Sequence, residues 1–515
     1  MALTTAVSLN GENLTLADVW DVAVRGDRAE LSDDAREKMG RARALVDEAA
    51  SRATGEHTYG INTGFGRFVE RTIPPELSEE LQLRLLRSHA CGVGDPYPDE
   101  VVRAAMLLRA NALAKGYSGA RVETVELLLQ CLNRGVIPVV PSRGSVGASG
   151  DLAPLAHLAL PLVGEGWALV EGERLSGADA LGRVDLEPAR LAAKEGLSLI
   201  NGTQFMSAIG ALALVRAGRL AAVADTACAL SVEALQGSRV SFRAEIHALR
   251  PLPGQAASAA NILRLLEGSA IIESHRWCDK VQDAYSLRCA PQVHGASRDL
   301  LDYAERTVAV ELNAATDNPL VLVEDEELVS NGNFHGQPIA FALDAAAMAV
   351  SELASISERR VERLTNPSLS DGLPAFLTRD GGLNSGFMIP QYVAASLVSE
   401  NKVLCHPASV DSIPTSAGQE DHVSMGNASA LTCWQVVANS ERAIAIELLA
   451  AAQGVEFLAP LEPGSGTRAA HDFIRSLSPT VLEDRPLAPD IERIAEAVRS
   501  GELLAAVEDE IGALA

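Results

Sequence analysis

The segment Gly144–His157, GSVGASGDLAPLAH, contains the residues whose types and order first suggest chemistry. Ala148, Ser149 and Gly150 stand at its centre. In a tight turn the Gly150 nitrogen can attack the Ala148 carbonyl carbon, because glycine has no Cβ to obstruct the approach. Loss of water from that ring, and of the Ser149 hydroxyl, leaves a methylideneimidazolone, an electrophile that ordinary side chains do not provide. Taken alone, the tripeptide also fits an ordinary turn, because its three residue types are common.

Most of the chain has the hydrophobic period of α-helices, and these helices must position the turn. Several predicted helices exceed 20 residues and are apolar on more than one face, so we expect them to be buried among other helices. The fold class is therefore predicted as mainly α. A long central helix bundle would occupy about 201–515, and a smaller loop-rich N-terminal part, about 1–200, would carry the electrophile. Helices are predicted at Val101–Lys115, Val122–Arg134, Phe205–Leu235, Leu300–Ala315, Pro338–Arg363, Gln391–Lys402 and Ala428–Gln453, and short strands at Ile137–Val140 and Leu320–Val323.

Composition narrows the class of protein. The chain has 515 residues, of which 47% are hydrophobic and 22% charged, and its formal net charge is −25. This charge argues against nucleic acid or an anionic membrane as a partner, since both require clustered positive charge. The seven cysteines form no C-x-x-C pair, so neither a disulfide framework nor a zinc site is expected. The N-terminus shows no secretory pattern, and we expect a cytoplasmic protein.

Sequence blocks on both sides of the tripeptide resemble blocks of one protein family. Together with Gly144–His157 they resemble the histidine/phenylalanine ammonia-lyase family, in the family's order and over most of the chain. The length also fits the bacterial histidine enzymes from end to end. The blocks are YGINTGFG at Tyr59–Gly66, SHACGVG at Ser88–Gly94, KEGLSLINGT at Lys194–Thr203, VQDAYSLRCAPQ at Val281–Gln292, TDNPL at Thr316–Leu320, NGNFH at Asn331–His335, SERR at Ser357–Arg360 and QEDHVSM at Gln419–Met425.

The resemblance implies a reaction and a cofactor. Members of the family convert an α-amino acid to an α,β-unsaturated acid and ammonia. The electrophile would be 4-methylideneimidazol-5-one, formed by the chain itself from Ala148, Ser149 and Gly150, with no external cofactor. Tyr59 matches the tyrosine regarded as the base that removes the β-proton. Asn201 matches the asparagine that donates a hydrogen bond to the electrophile's carbonyl.

Four further positions match family residues that bind substrate. Arg288 would hold the substrate carboxylate through its bidentate guanidinium. Gln282 would be a secondary polar contact, and Tyr285 would orient the amine or assist its transfer. Phe334 would pack against the electrophile or the substrate ring; the alternative at this position is a buried structural phenylalanine.

Two positions indicate which amino acid is the substrate. Ser88-His89 and Glu420 look like the histidine-specific form of the family, so the resemblance implies conversion of L-histidine to trans-urocanate, the opening step of histidine breakdown. The chemistry agrees, because His89 and Glu420 together could pair with both nitrogens of an imidazole. A phenyl ring would leave both of these polar groups unpaired, at about 1–3 kcal/mol each.

Other readings stay open at this point. The nearest alternative is a phenylalanine or tyrosine ammonia-lyase, or an aminomutase, on the same scaffold. A second is a binding protein on an inactive lyase scaffold, and a third is a metallohydrolase, for which no H-E-x-x-H spacing appears. The resemblance also implies a homotetramer whose active sites draw residues from several subunits. We expect one lyase chain over 1–515, with a small-molecule substrate and no metal.

Overall fold

The structure is a computed structural model that describes residues 6–51 and 59–515. Helices dominate these residues, so the predicted mainly α class is confirmed. The first residues of the N-terminus, 1–5, where no leader was predicted, lie outside the described residues. In chain order the α-helices are α1 Leu16–Trp20, α2 Asp33–Ser51, α3 Ser78–His89, α4 Asp99–Ala114, α5 Val122–Asn133, α6 Leu152–Ala159, α7 Gly177–Arg183, α8 Glu195–Ile200, α9 Gln204–Ala234, α10 Ala244–Ala248, α11 Pro253–Leu265, α12 Ala270–Ser274, α13 Tyr285–Arg288, α14 Ala290–Glu311, α15 Gln337–Thr365, α16 Met388–Leu404, α17 Gly426–Glu456, α18 Ser465–Leu477, α19 Ala488–Ser500 and α20 Glu502–Ile511.

The strands in the described part of the chain are short and form small sheets. They are β1 Val7–Leu9, β2 Ala29–Leu31, β3 Val93–Pro96, β4 Ile137–Pro138, β5 Pro141–Arg143, β6 Trp167–Val170, β7 Glu173–Ser176, β8 Leu320–Leu322 and β9 Glu327–Val329. β1 pairs with β2 in parallel, whereas β3–β5, β4–β6–β7 and β8–β9 are antiparallel. The two strands predicted from β-branched runs are therefore present as β4 and β8.

The chain divides into two compact units, each assembled from three segments. Unit 1 comprises Met1–Val215, Glu305–Asp344 and Pro407–Leu431. Unit 2 comprises Arg216–Ala304, Ala345–His406 and Thr432–Ala515. The sequence analysis predicted two consecutive parts that divide near residue 200. This division into domains stays a prediction.

Helix α4 shows how unit 1 buries its apolar surface. From Val101 to Ala114 every residue except Arg103 is buried, including Arg109 and Asn111. A helix enclosed on all sides must satisfy its polar side chains inside the protein. The Asn111 side chain does so by donating to the Leu312 carbonyl at 2.9 Å and accepting from the Gly11 amide at 3.0 Å.

Unit 2 contains ionic side chains in its interior. Arg216 and Glu441 form a buried ion pair at 2.7 Å. Asp225 is fully buried and accepts hydrogen bonds from Ser258, Asn261, His294 and Arg298. Burial alone would raise the pKa of Asp225, but the Arg298 charge and the His294 contact outweigh it and lower the pKa to about 2.

Among the described residues, two helices, α9 and α15, are long and apolar enough to span a membrane by length and composition alone. Their most apolar stretches are 83% and 72% buried inside the fold. Core helices of a helical protein have this composition because they are covered on most sides. Their apolarity is thus accounted for by burial within the protein.

Candidate active site

The tripeptide segment forms a turn between β5 and α6 in unit 1. Gly150 has a φ of +72°, in the left-handed region that glycine adopts without strain. It pairs in a single parallel bridge with Gly202, and a Cβ on Gly150 would lie 2.0 Å from the Gly202 carbonyl oxygen. The Asp151 amide donates to that same oxygen at 2.7 Å. Only glycine therefore fits at the position whose nitrogen would have to approach the buried Ala148.

Asn201 lies at the C-terminal end of helix α8 and contacts this turn. All six residues of α8 are buried, which fixes the position of Asn201. Its Nδ2 donates to the Ser149 carbonyl oxygen at 2.8 Å. Its Oδ1 is buried and has no hydrogen-bond partner among the described residues. A donor held on the Ser149 oxygen is the arrangement that stabilises negative charge there.

Glu420 binds Ser149 with one carboxylate oxygen and Thr415 with the other. Ser149 Oγ donates to Oε1 at 2.7 Å, and Thr415 Oγ1 donates to Oε2 at 2.5 Å. Thr415 and Glu420 also pair in an antiparallel bridge that closes a tight turn at Ser416 and Ala417, whose φ values are +51° and +54°. Thr415 thus fixes the carboxylate independently of the Ser149 hydroxyl.

Tyr59 lies on a loop beside the same turn. Its hydroxyl accepts a hydrogen bond from the Gly66 amide at 3.3 Å, and its ring meets Phe65 edge-on with centroids 6.0 Å apart. Burial raises the pKa of Tyr59, and the carboxylates of Glu420 and Asp317 raise it further against the effect of Gly66. The side chain is therefore a neutral phenol at neutral pH, and action as a base requires that positive charge be brought to it.

His89 occupies the last turn of helix α3. Its Nδ1 lies 2.9 Å from the Leu85 carbonyl oxygen, which can only accept a hydrogen bond. Burial lowers the pKa of His89 despite the Leu85 contact and the Glu420 charge, so the ring is neutral at neutral pH. We assign the proton to Nδ1 on this geometry, which leaves Nε2 as an acceptor.

These side chains line one cavity of about 700 Å³ in unit 1. Its volume is in the range typical of small-molecule sites. The predicted site residues in its wall are Tyr59, His89, Ser149, Asn201 and Glu420. The apolar part of the wall consists of Phe65, Phe68, Leu81, Leu85, Leu152, Leu197 and Ala417. The wall therefore combines apolar side chains with several polar ones, among them the charged Arg84.

The remaining predicted residues are not part of this wall. Phe334 belongs to unit 1 and is half-buried, but it does not line the cavity. Gln282, Tyr285 and Arg288 belong to unit 2, where the Arg288 guanidinium lies over the Tyr285 ring at 4.7 Å. Tyr285 is 71% exposed, so a large aromatic surface faces solvent in the single chain. The roles of these four residues stay predictions.

Three residues at the turn were missed by the sequence reasoning. Asp151 stands inside the motif yet received no role. It is buried, and it accepts from the Met206 amide at 2.9 Å and from Ser145 Oγ at 2.7 Å. Burial outweighs these donors and raises the pKa of Asp151 to about 6. Thr415 lies five residues before Glu420, and no sequence pattern marks it as part of a site. Arg109, in contrast, is a charged residue within an apolar helical run, and this contrast could have marked it as a functional candidate.

Comparison with known proteins agrees with this geometry. The family model for aromatic amino acid lyases matches residues 14–476. A histidine ammonia-lyase of Gloeobacter violaceus is 57% identical over 512 residues, which is 99% of both chains. A histidine ammonia-lyase of Sorangium cellulosum is 54% identical over 98% of this chain and all of its own.

Solved structures resemble the fold along nearly the whole chain. The crystal structure of histidine ammonia-lyase from Trypanosoma cruzi has a TM-score of 0.91 at 47% identity, and covers 98% of this chain and 96% of its own. Tyrosine aminomutase from Streptomyces globisporus has a TM-score of 0.93 at 39% identity, with 98% and 99% covered. The fold and the cavity define a lyase, and the chain belongs to the aromatic amino acid lyase family.

Proposed function

We propose that this protein is an ammonia-lyase that converts L-histidine to trans-urocanate and ammonia, the first step of histidine degradation. The observation that carries the proposal is the pair of acceptors in the cavity that holds Ser149. His89 offers Nε2, and Glu420 offers a carboxylate. The names of the 54–57% identical relatives support the same substrate.

The turn fits the self-formed electrophile. Gly150 lacks room for a Cβ, Asn201 already donates to the Ser149 oxygen, and the Ser149 hydroxyl has an acid–base partner in Glu420. Ala148, Ser149 and Gly150 would become 4-methylideneimidazol-5-one, with no external cofactor. Once formed, this group supplies an electrophilic carbon that makes the substrate amine a better leaving group.

The side chains of the cavity divide the remaining work. Tyr59 would accept the β-proton of the substrate, and the substrate's own ammonium group would bring the positive charge that the phenol needs. Asn201 would stabilise charge on the Ser149 oxygen. Arg288 would hold the substrate carboxylate, with Gln282 and Tyr285 beside it. Phe334 would pack against the ring.

Substrate selection follows from the two acceptors. An imidazolium ring presents two N–H donors, one for His89 Nε2 and one for Glu420. A phenyl or phenol ring leaves at least one of these buried groups without a partner, at about 1–3 kcal/mol. The cavity therefore favours histidine over phenylalanine, the substrate class of the nearest alternative.

We further propose a cytoplasmic homotetramer with shared active sites. Large apolar side chains on the exposed faces support association, since monomers rarely leave so many uncovered. Examples are Trp277, Tyr285, Val310 and Val403, which are between 71% and 88% exposed. A second copy that covered Tyr285 would also bring Arg288 toward a neighbouring site.

Product analysis tests the proposed function. Purified protein is incubated with L-histidine, L-phenylalanine or L-tyrosine, and the ultraviolet absorbance of urocanate, cinnamate and coumarate is followed. We expect urocanate from histidine and at most traces from the other two. Cinnamate, coumarate or a β-amino acid as the main product would instead establish the alternative lyase or aminomutase.

A further inference from the structure

A fully buried arginine lies behind the site. Arg109, in helix α4, has no solvent exposure and forms no ion pair with a carboxylate among the described residues. Its Nη1 donates to the Asn201 carbonyl at 2.8 Å and to Gln204 Oε1 at 2.7 Å. Burial lowers the pKa of Arg109 to about 10, so the side chain is still charged at neutral pH. A buried charge without a counter-ion is costly and rarely kept for packing alone.

The guanidinium holds the segment that carries Asn201. A Cβ placed on Gly202 would lie 2.6 Å from Arg109 Nη1 and 2.4 Å from Gln204 Oε1, so this backbone rests directly against the pair. The Asn201 side chain in turn donates to the Ser149 carbonyl oxygen. Arg109 is thus linked through Asn201 to the Ser149 carbonyl oxygen, which gains negative charge in the proposed chemistry.

Asp317, the acid whose charge acts on Arg109, does not form an ion pair with it. Asp317 raises the pKa of Arg109 from a distance, yet its Oδ2 is bound to Lys194 Nζ at 2.7 Å, and both side chains are buried. Its Oδ1 accepts from the Asn318 amide at 2.7 Å. Asp317 is therefore paired with Lys194 and not with Arg109.

The Ser149 oxygen gains negative charge when Ser149 is processed. In this step the Cα–H and Cβ–Oγ bonds of Ser149 break and a Cα=Cβ double bond forms. The proton and the hydroxide leave together as water. The electrons of the Cα–H bond are delocalised onto the Ser149 carbonyl oxygen on the way. A fixed positive charge and a fixed donor near this oxygen lower the barrier, because they need no reorganisation.

We propose that Arg109 is a positioning residue for the electrophile. It fixes Asn201 on the Ser149 oxygen, and its buried charge stabilises negative charge at that oxygen, during self-processing and during turnover. The turnover part rests on the proposed function, whereas the processing part does not.

The same helix supplies a matched control. Arg103 on α4 donates to backbone carbonyls as Arg109 does, namely those of Val22 at 2.8 Å, Ala23 at 3.1 Å and Leu132 at 3.5 Å, but it has no side-chain acceptor like Gln204. Burial lowers its pKa as well. It lies in unit 1 but does not contact the turn. Arg103→Met and Arg109→Met therefore remove the same kind of side chain, and only the second removes it from the site.

The experiment measures processing and turnover separately in full-length Arg109→Met, Arg109→Lys, Arg103→Met and Arg103→Lys. Processing is the fraction of the peptide containing 148–150 that has lost two waters, measured by mass spectrometry. We expect unprocessed peptide in Arg109→Met only. Per processed chain, we expect kcat for histidine to fall about 100-fold in this variant with KM nearly unchanged, as for loss of an oxyanion donor. Arg109→Lys should recover about tenfold of that loss and leave kcat about tenfold below the wild type, because lysine keeps the charge but not the guanidinium's donor geometry.

Complete processing and unchanged kcat in Arg109→Met would overturn the proposal, as would equal losses in Arg103→Met. Thermal unfolding of each variant shows which proteins are folded. If Arg109→Met does not fold, Arg109→Lys is compared with Arg103→Lys, and equal kcat values in these two would likewise overturn it. A wild type that loses two waters but makes no urocanate would refute the proposed function, while the processing comparison would still test Arg109.

Discussion

Replacing Glu420 by glutamine probes the recognition of the imidazole most sharply. The carboxylate accepts from Thr415 at 2.5 Å on one oxygen, and its other oxygen faces the cavity, where Ser149 now donates. Glutamine removes the charge and places an amide N–H toward either Thr415 or the substrate. A hydrogen bond to a charged acceptor is worth about 1.5–3 kcal/mol, and an unpaired buried donor costs about 1–3 kcal/mol. The sum predicts a loss of about 10²- to 10⁴-fold in kcat/KM for histidine.

The assay is the initial rate of urocanate formation over a range of histidine concentrations, normalised to processed protein. Asp421→Asn is the matched control, because Asp421 is exposed and adjacent in sequence but does not line the cavity. We expect this control to keep kcat/KM within about twofold, as surface changes usually do. A kcat/KM of Glu420→Gln within about threefold of the wild type would remove Glu420 from substrate recognition and refute the reasoning.

Three further predictions concern the site and the stability of unit 2. Thr415→Val should raise KM for histidine about 5- to 20-fold, because the carboxylate loses its anchor, and Thr415→Ser should restore it; equal KM values in both variants would exclude this role. His89→Phe should lower kcat/KM for histidine about 10- to 100-fold by leaving one imidazole N–H unpaired, which steady-state kinetics would measure. The pKa of Asp225, about 2 in the fold, lies below its ordinary value of about 3.9, so its stabilisation is complete above pH ~4 and is lost as the pH falls toward 2. Urea unfolding should therefore show a loss of about 2–3 kcal/mol over that range, which Asp225→Asn should abolish; an unchanged acid dependence in the variant would contradict the assignment.

The fold class was predictable because long apolar runs have few alternatives to buried helices. The run beginning at Val101 became helix α4 within two residues of its predicted bounds, and the run at Phe205 became α9. The helix predicted at Leu300–Ala315 instead begins at Ala290 and ends at Glu311, because polar residues such as Gln292 and His294 hide its first turns. The interleaving of the segments in the two units depends on tertiary packing, which local periodicity does not contain.

The site was predictable where its residues are adjacent in sequence and form a recognisable motif. The motif pointed to Ser149, and the structure brings Asn201 and Glu420 onto it from 52 and 271 positions away. Thr415 could not be found, since a threonine near a turn has many ordinary uses. Arg109 could have been singled out, because a charge among apolar residues on every side of a helix requires a buried partner.

The most direct test of the account compares the wild type with Ser149→Ala in one experiment. The mass of the peptide containing 148–150 and the rate of urocanate formation from L-histidine are measured on the same preparations. We predict that the wild-type peptide has lost two waters and that the protein forms urocanate. Ser149→Ala should keep its full mass and form none. Urocanate formation by a Ser149→Ala protein at the wild-type rate, or by a wild type of unaltered mass, would contradict the account.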